Sequence, residues 1–329
     1  MATIGLAAML EALHPRDAVE LAVYAQARGF GGVMATDRFQ PWTARQGQAA
    51  FVWDVLGALG ERTTGDLGPV AVPGNRMHPA VLAQASATLA AMNPGRHWLG
   101  VASGDAVDEH VTGDYWPEAP GRIARLFEAV DLIKKLFAAP AGRDVRFAGQ
   151  YFRLEATRLW TAPETAPEVL VATGGPVTAR RAGRQADGLI TMAAPPERLE
   201  VLLDRFAAGA REAGKDPDAM PKVVQVPVSW APDAARAEEN LLANPPIGAA
   251  RLPRSDLRSP HDVAAVARLL RPEDFAGRVL VSDDLAAHRK HLQGFLDLGF
   301  DRIYVHDAGP DPRAWIDAYA AQVLPDLTP

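Results

Sequence analysis

The chain has 329 residues, 48% of them hydrophobic and none of them cysteine, so disulfides, thiolate metal sites and cysteine nucleophiles are excluded. A formal net charge of −6 argues against a nucleic-acid or acidic-membrane partner, and no window is apolar for long enough to span a bilayer. The opening "MATIGLAAMLEALHP" has no basic n-region and no long apolar core, so a soluble cytoplasmic protein is expected.

In chain order, short β-rich runs alternate with longer helical patterns. "TIGLAA" reads as a first strand and "PRDAVELAVYAQARGF" as a helix, with Pro15 near its start and Gly29 as its stop. "GGVMATD" is a second strand, "FVWDVLGALGERT" a helix and "LGPVAV" a third strand. "PAVLAQASATLAAM" is a helix opened by Pro79, and "HWLGVASGD" is a fourth strand running into a glycine turn. "RIARLFEAVDLIKKLF" carries apolar residues at helical spacing, and "RDVRFAGQYFRLEATRLW" alternates like a hairpin turning at Gly149. The alternation resumes with the strand "EVLVATGG", the helix "PVTARRAGRQA", the strand "GLITM" and the helix "PERLEVLLDRFAAGAREA". "KVVQVPVSW" is a seventh strand, "DDLAAHRKHLQGFLDLGF" a helix, "DRIYVHD" an eighth strand and "DPRAWIDAYAAQVL" a closing helix.

Eight strand–helix units predict a closed parallel barrel, the (β/α)8 or TIM fold, as one domain over residues 1–329. A β-hairpin near 143–160 and a helical, Pro/Arg-rich segment near 233–277 read as insertions. An open doubly wound sheet is the rival, but no G-x-G-x-x-G follows the first strand.

In such barrels the active site forms at the C-terminal ends of the strands. The second strand exits through "MATDRFQPWTARQGQ", which places Asp37, Arg38, Gln40 and Trp42 within six positions. The fourth strand exits through Ser103, Gly104 and Asp105, the fifth through Thr173, Gly174 and Gly175, and the eighth through His306 and Asp307. Each has a plainer reading. Asp37 fits a helix cap or turn, Trp42 a loop packed on the barrel, and Ser103 or Asp105 a cap for the next turn. The pair of glycines in "TGGPVTARRAG" lets backbone N–H groups at a helix start approach an anion. Their convergence on one rim favours a site.

Taken together, "DRFQPW", "GERT" before "LGPVAV", "RMHPAVLAQASATLAAMNPGRHWLGVASGDAVDE", "WPE", "VATGGPVTARRAGRQADGLIT" and "DRIYVHDAG" resemble the luciferase-like flavin/deazaflavin barrel superfamily. Within it, the chain is similar to the coenzyme F420-dependent glucose-6-phosphate dehydrogenases. The resemblance implies coenzyme F420 as cofactor, with FMN as the alternative. It assigns Asp37, Val70, Ala71, Ser103, Gly104 and Asp105 to the deazaflavin ring, with a non-prolyl cis peptide joining Val70 to Ala71. Thr173, Gly174 and Gly175 would face its phosphate-bearing tail, and Trp42 and Arg38 would flank a small-molecule substrate. Relatives of this kind are commonly homodimers, which is the assembly expected here.

The departures matter as much. Arg38 stands where the dehydrogenases carry the histidine that removes the alcohol proton. A guanidinium stays protonated and has no acceptor lone pair, so it can hold an anion or stabilise a developing oxyanion instead. Asp105 stands where the resemblance places a glutamate acid. Of three cations in the sugar-phosphate clamp only Arg278 is retained; the lysine positions fall near Ala193 to Pro195 and at Ala265. A hydride-transferring reductase is therefore expected over a sugar-phosphate dehydrogenase. Its catalytic residues would be Asp105, Trp42, Arg38 and His306, with His306 the replacement acid/base and His78 and His110 weaker candidates. The alternatives are an FMN-dependent luciferase-like monooxygenase or reductase, and a non-catalytic deazaflavin-binding protein.

Overall fold

A computed structural model describes residues 2–250 and 255–328. Strand β1 (Thr3–Ala8) leads to α1 (Pro15–Gln26), β2 (Gly32–Thr36) to α2 (Val52–Gly60), and β3 (Asp66–Ala71) to α3 (Pro79–Met92). Strand β4 (Leu99–Val101) is followed by a single turn, α4 (Ala106–Glu109), then α5 (Ala119–Phe137) and the antiparallel hairpin β5 (Val145–Ala148) and β6 (Arg153–Thr157). Next come β7 (Val169–Ala172), α6 (Pro176–Gln185), β8 (Gly188–Met192), α7 (Pro196–Glu212) and β9 (Lys222–Trp230). The chain ends with α8 (Ala234–Ala243), α9 (Pro260–Ala267), β10 (Leu280–Ser282), α10 (Leu285–Asp297), β11 (Arg302–Asp307) and α11 (Pro312–Gln322).

Helix starts follow local chemistry. Pro15 and Pro79 open their helices where the missing N–H is no loss, and the His14 and His78 rings accept the free N–H groups of Arg16 and Ala80 at 3.3 and 3.2 Å. His78 is thus a helix cap. Gly29 takes φ 97° to end the turn after α1, a conformation that costs glycine little.

Eight parallel strands close in the order β1, β2, β3, β4, β7, β8, β9, β11 and back to β1, the expected (β/α)8 barrel. β10 is a strand that the sequence pattern did not single out; three residues are too few to establish a period. It lies parallel to the outer half of β9, from Leu280↔Val228 to Ser282↔Trp230, while β8 pairs with the inner half from Lys222 to Gln225.

Alternation along the strands divides the core in two. Leu6, Val33, Leu67, Leu99 and Val169 point outward and bury against the helices, whereas Ala7, Met34, Val70, Trp98, Leu170, Ile190 and Tyr304 fill the barrel. In the interior, Trp98 Nε1 donates to the Tyr304 hydroxyl at 3.2 Å, and the rings meet at 5.7 Å. Gly68 makes room for that indole, which any Cβ there would overlap. The Val70–Ala71 peptide is trans, as are all described peptide bonds, which corrects the expectation of a cis bond. Regular pairing runs through both residues, Val70↔Gly100 and Ala71↔Val101, and leaves no bulge. Among the described residues, no helix is long and apolar enough to cross a membrane.

Candidate active site

A cavity of about 500 Å³ opens at the C-terminal ends of the barrel strands. Asp37, Arg38 and Trp42 reach it from the exit of β2, Val70 from β3, and Ser103, Gly104 and Asp105 from the exit of β4. Thr173 and Gly174 follow β7, and His306 is near the end of β11. The segment between β9 and β10 adds Pro245 to Gly248, Ser255 and Arg278. Gly104 has φ 83°, and a Cβ there would lie 2.9 Å from Val72, so this close turn suits glycine alone.

Two residues assigned to the cofactor do not line this wall. Ala71 is fully buried among the helices, because it follows Val70 on a strand and so points to the opposite face. Gly175 is set back as the cap residue of α6, its N–H donating to Thr173 Oγ1 at 3.0 Å. Of the weaker candidates, His78 caps α3, and His110 Nδ1 lies 2.6 Å from the Ala106 carbonyl; neither lines the cavity. Asp307 is also off the wall: its carboxylate accepts the N–H groups of Trp230 and Gly309 at 2.7 and 2.9 Å, and burial pushes it up to about 6.

The "DRFQPW" turn is organised by Asp108 of α4. Asp108 Oδ2 and Arg38 Nη2 form a contact ion pair at 2.8 Å, with both side chains buried. Asp108 Oδ1 accepts the N–H groups of Phe39 and Gln40 at 2.9 and 3.1 Å, so the whole turn wraps one carboxylate. Arg38 also donates from Nε to the Gln40 carbonyl at 3.1 Å and lies 3.6 Å over the Trp42 ring. Its charge is compensated within the protein before any substrate arrives.

Asp37 is held from a different side. Its Oδ2 is 3.1 Å from Arg76 Nη2, and Arg76 Nε is 2.8 Å from Glu109 Oε1. Asp37 Oδ1 is buried and has no partner among the described residues. Burial pushes the Asp37 carboxyl above the usual carboxylate range, and the Arg76 guanidinium pulls it back. Glu11 is also on the cavity wall; burial raises its pKa, opposed by Arg38.

His306 is 6% exposed, with Nδ1 3.5 Å from the Gln225 amide nitrogen and Nε2 without a partner among the described residues. Burial pushes its pKa down to about 4, so the ring is neutral at pH 7. This corrects the expectation of a near-neutral acid/base: the desolvated ring is a hydrogen-bonding group and only a weak base. Asp105 lines the cavity and makes no side-chain capping bond to α4. Arg278 lines it too, and its Nη1 donates to the Ala249 carbonyl at 3.4 Å.

Sequence reasoning missed Glu11, Arg76, Asp108, Glu109 and Arg198. Arg198 reaches the cavity from the first turn of α7. The signal for α4 was present: "DAVDE" places acids three and four residues after Asp105, on one side of a helical turn. Arg76 and Glu11 carry no local signal, since only the closed barrel brings their loops together.

A closed parallel barrel whose strand ends converge on one large cavity is the architecture of an α/β-barrel enzyme. The chain belongs to the luciferase-like monooxygenase family, which it matches over residues 1–308. It is 34% identical over 330 residues to the F420-dependent glucose-6-phosphate dehydrogenase of Nocardia farcinica, with 98% of this chain and 97% of that one aligned. The protein of the same description from Rhodococcus erythropolis is 35% identical, with the same coverage. Among solved structures, an F420-dependent secondary alcohol dehydrogenase in complex with an F420–acetone adduct has a TM-score of 0.91 at 31% identity, covering 100% of this chain and 99% of that one. The F420-dependent tetrahydromethanopterin reductase of Methanopyrus kandleri shares the fold, with a TM-score of 0.80 at 19% identity and 99% of each chain covered.

Proposed function

We propose that the protein is a coenzyme F420-dependent oxidoreductase that exchanges a hydride with a small organic substrate, in the direction of substrate reduction. The observation that carries this reading is Asp37, a residue that lines a cavity of about 500 Å³ and whose buried Oδ1 has no partner among the described residues. A polar atom so placed calls for a ligand donor or an internal proton. The cavity is of cofactor size. Asp37, Val70, Ser103 and Gly104 would hold the ring, and Thr173 and Gly174, ahead of the α6 N-terminus, would face an anionic tail. The F420-dependent relatives support the same cofactor.

When bound, the deazaflavin supplies the two-electron hydride chemistry. The chain's own residues orient the substrate and manage protons. Trp42 and the Arg38–Asp108 pair form a rigid, charge-compensated flank for the substrate. Glu11, which burial favours in its protonated form, can donate a proton to an oxygen that gains negative charge. Asp105 is the proton partner on the ring side. Reduction is preferred because Arg38 occupies the position of the relatives' base, and His306 at about 4 is a weak one.

Side-by-side fluorescence titrations test the cofactor: coenzyme F420 is expected to bind more tightly than FMN, and the reverse order would overturn the reading. Glucose 6-phosphate is expected not to be oxidised at a meaningful rate with F420, either by the parent or by Arg38→His. By the resemblance, the two lysine positions of the clamp fall near Ala193 to Pro195 and at Ala265, so restoring the base leaves phosphate recognition incomplete. Ordinary turnover of that sugar by the parent would show the substrate assignment to be wrong.

A further inference from the structure

The two oxygens of Asp37 have different surroundings. Oδ2 meets Arg76 at 3.1 Å, while Oδ1 is buried without a partner among the described residues, in a residue that lines the cavity. Arg76 also donates to the Asp37 main-chain carbonyl at 3.2 Å, so it grips the residue at two points. Arg76 is itself braced: Glu109, fully buried, accepts its Nε at 2.8 Å and the backbone N–H groups of Asn75 and Arg76 at 3.1 and 3.5 Å. Neither Arg76 nor Glu109 lines the cavity.

We infer that Arg76, braced by Glu109, is a positioning residue that holds the cavity-lining Asp37 carboxyl in place for the deazaflavin and sets the pH range over which that cofactor binds. The inference rests on the F420 reading above. The charged groups facing Asp37 are Arg76 from the β3–α3 loop, Asp108 from α4 and Arg38 from its own strand exit, with Glu109 acting on it through Arg76. Burial and Asp108 favour the neutral carboxyl, and the two arginines favour the carboxylate. Arg76 stays cationic, because Asp37 and Glu109 together outweigh its desolvation. The charge of a cavity-lining carboxyl is therefore set from behind the wall.

The sign of each substitution follows. Arg76→Met removes the nearest cation, so Asp37 protonates at higher pH than in the parent. Arg76→Lys keeps a point charge without the fork and falls between the two. Glu109→Gln removes the acid that shares Arg76, so Asp37 protonates at lower pH than in the parent. Opposite shifts from two contacting substitutions are not what general loosening of the loop would produce.

Two measurements decide the matter. One is the 13C carboxyl titration of Asp37 by NMR in the protein without cofactor. The other is the pH dependence of F420 affinity by fluorescence quenching. The expected result is a midpoint that rises in Arg76→Met, rises less in Arg76→Lys and falls in Glu109→Gln, in both measurements. At neutral pH, Arg76→Met should also weaken F420 binding about tenfold or more, the scale of a misplaced hydrogen bond to a charged group. Should Arg76→Met fail to fold, the Lys and Gln variants carry the test. Midpoints equal to the parent's in folded variants would overturn the inference. NMR shifts as expected in a protein that binds no F420 would overturn the cofactor reading and leave Arg76's control of Asp37 standing.

Discussion

Replacing Asp105 with asparagine is expected to slow single-turnover hydride transfer about 10²–10⁴-fold. The residue leaves β4 through a Ser-Gly turn and lines the cavity. A purely structural role would be to cap α4, yet its side chain makes no capping bond there, and only its main-chain carbonyl accepts from Asp108 and Glu109. Asparagine keeps the shape and the main-chain contacts while losing the transferable proton. Cofactor affinity and thermal unfolding should therefore stay close to the parent's. An asparagine variant that reacts at the parent rate across pH would remove Asp105 from the chemistry.

Asp108→Ala is expected to cost about 3–5 kcal/mol of folding stability, the penalty for removing one partner of a buried ion pair. Arg38 and Asp108 have side-chain exposures of 5% and 6%, so water cannot replace the lost carboxylate. The same substitution strips the acceptor from the Phe39 and Gln40 N–H groups. Asp108→Asn should cost less, because its amide oxygen still accepts those two donors. Urea unfolding reads both variants. An alanine variant with the parent's midpoint would mean that the Arg38 guanidinium finds another anchor in the folded chain.

Most of the barrel was legible in the sequence because each layer announces itself through period and punctuation. The strand "TIGLAA" and the helix opened by Pro15 and closed by Gly29 sit where the pattern puts them. β10 escaped, being shorter than any period it might display. In the site, residues that follow strands were readable from position alone; Asp37, Ser103 and Gly174 reach the cavity for that reason. The partners were not readable. Nothing local in "PGNRMHP" marks Arg76 as the counter-ion of Asp37, 39 positions earlier, because the pairing exists only once β2 and β3 are neighbours. Charge state was equally hidden: His306 reads as a near-neutral switch by residue type, and only enclosure by the barrel pushes it down to about 4.

The way β9 divides its neighbours has a consequence for how such a protein diversifies. Its inner half belongs to the closed barrel through β8, and its outer half belongs to β10. Residues 231–279 thus depart from the end of β9 and return to a strand hydrogen-bonded beside it, with Ser282 level with Trp230. The segment is a cassette with adjacent sockets. It supplies Pro245 to Gly248, Ser255 and Arg278 to the cavity, and it leans on the exits of β2 and β4: the Ser255 carbonyl accepts the Ala106 N–H at 2.9 Å, and Ile247 and Val263 cluster with Trp42 and Val107. Exchanging it would redraw what enters the cavity while the barrel strands keep their pairing, so a new lining can be acquired without rebuilding the barrel.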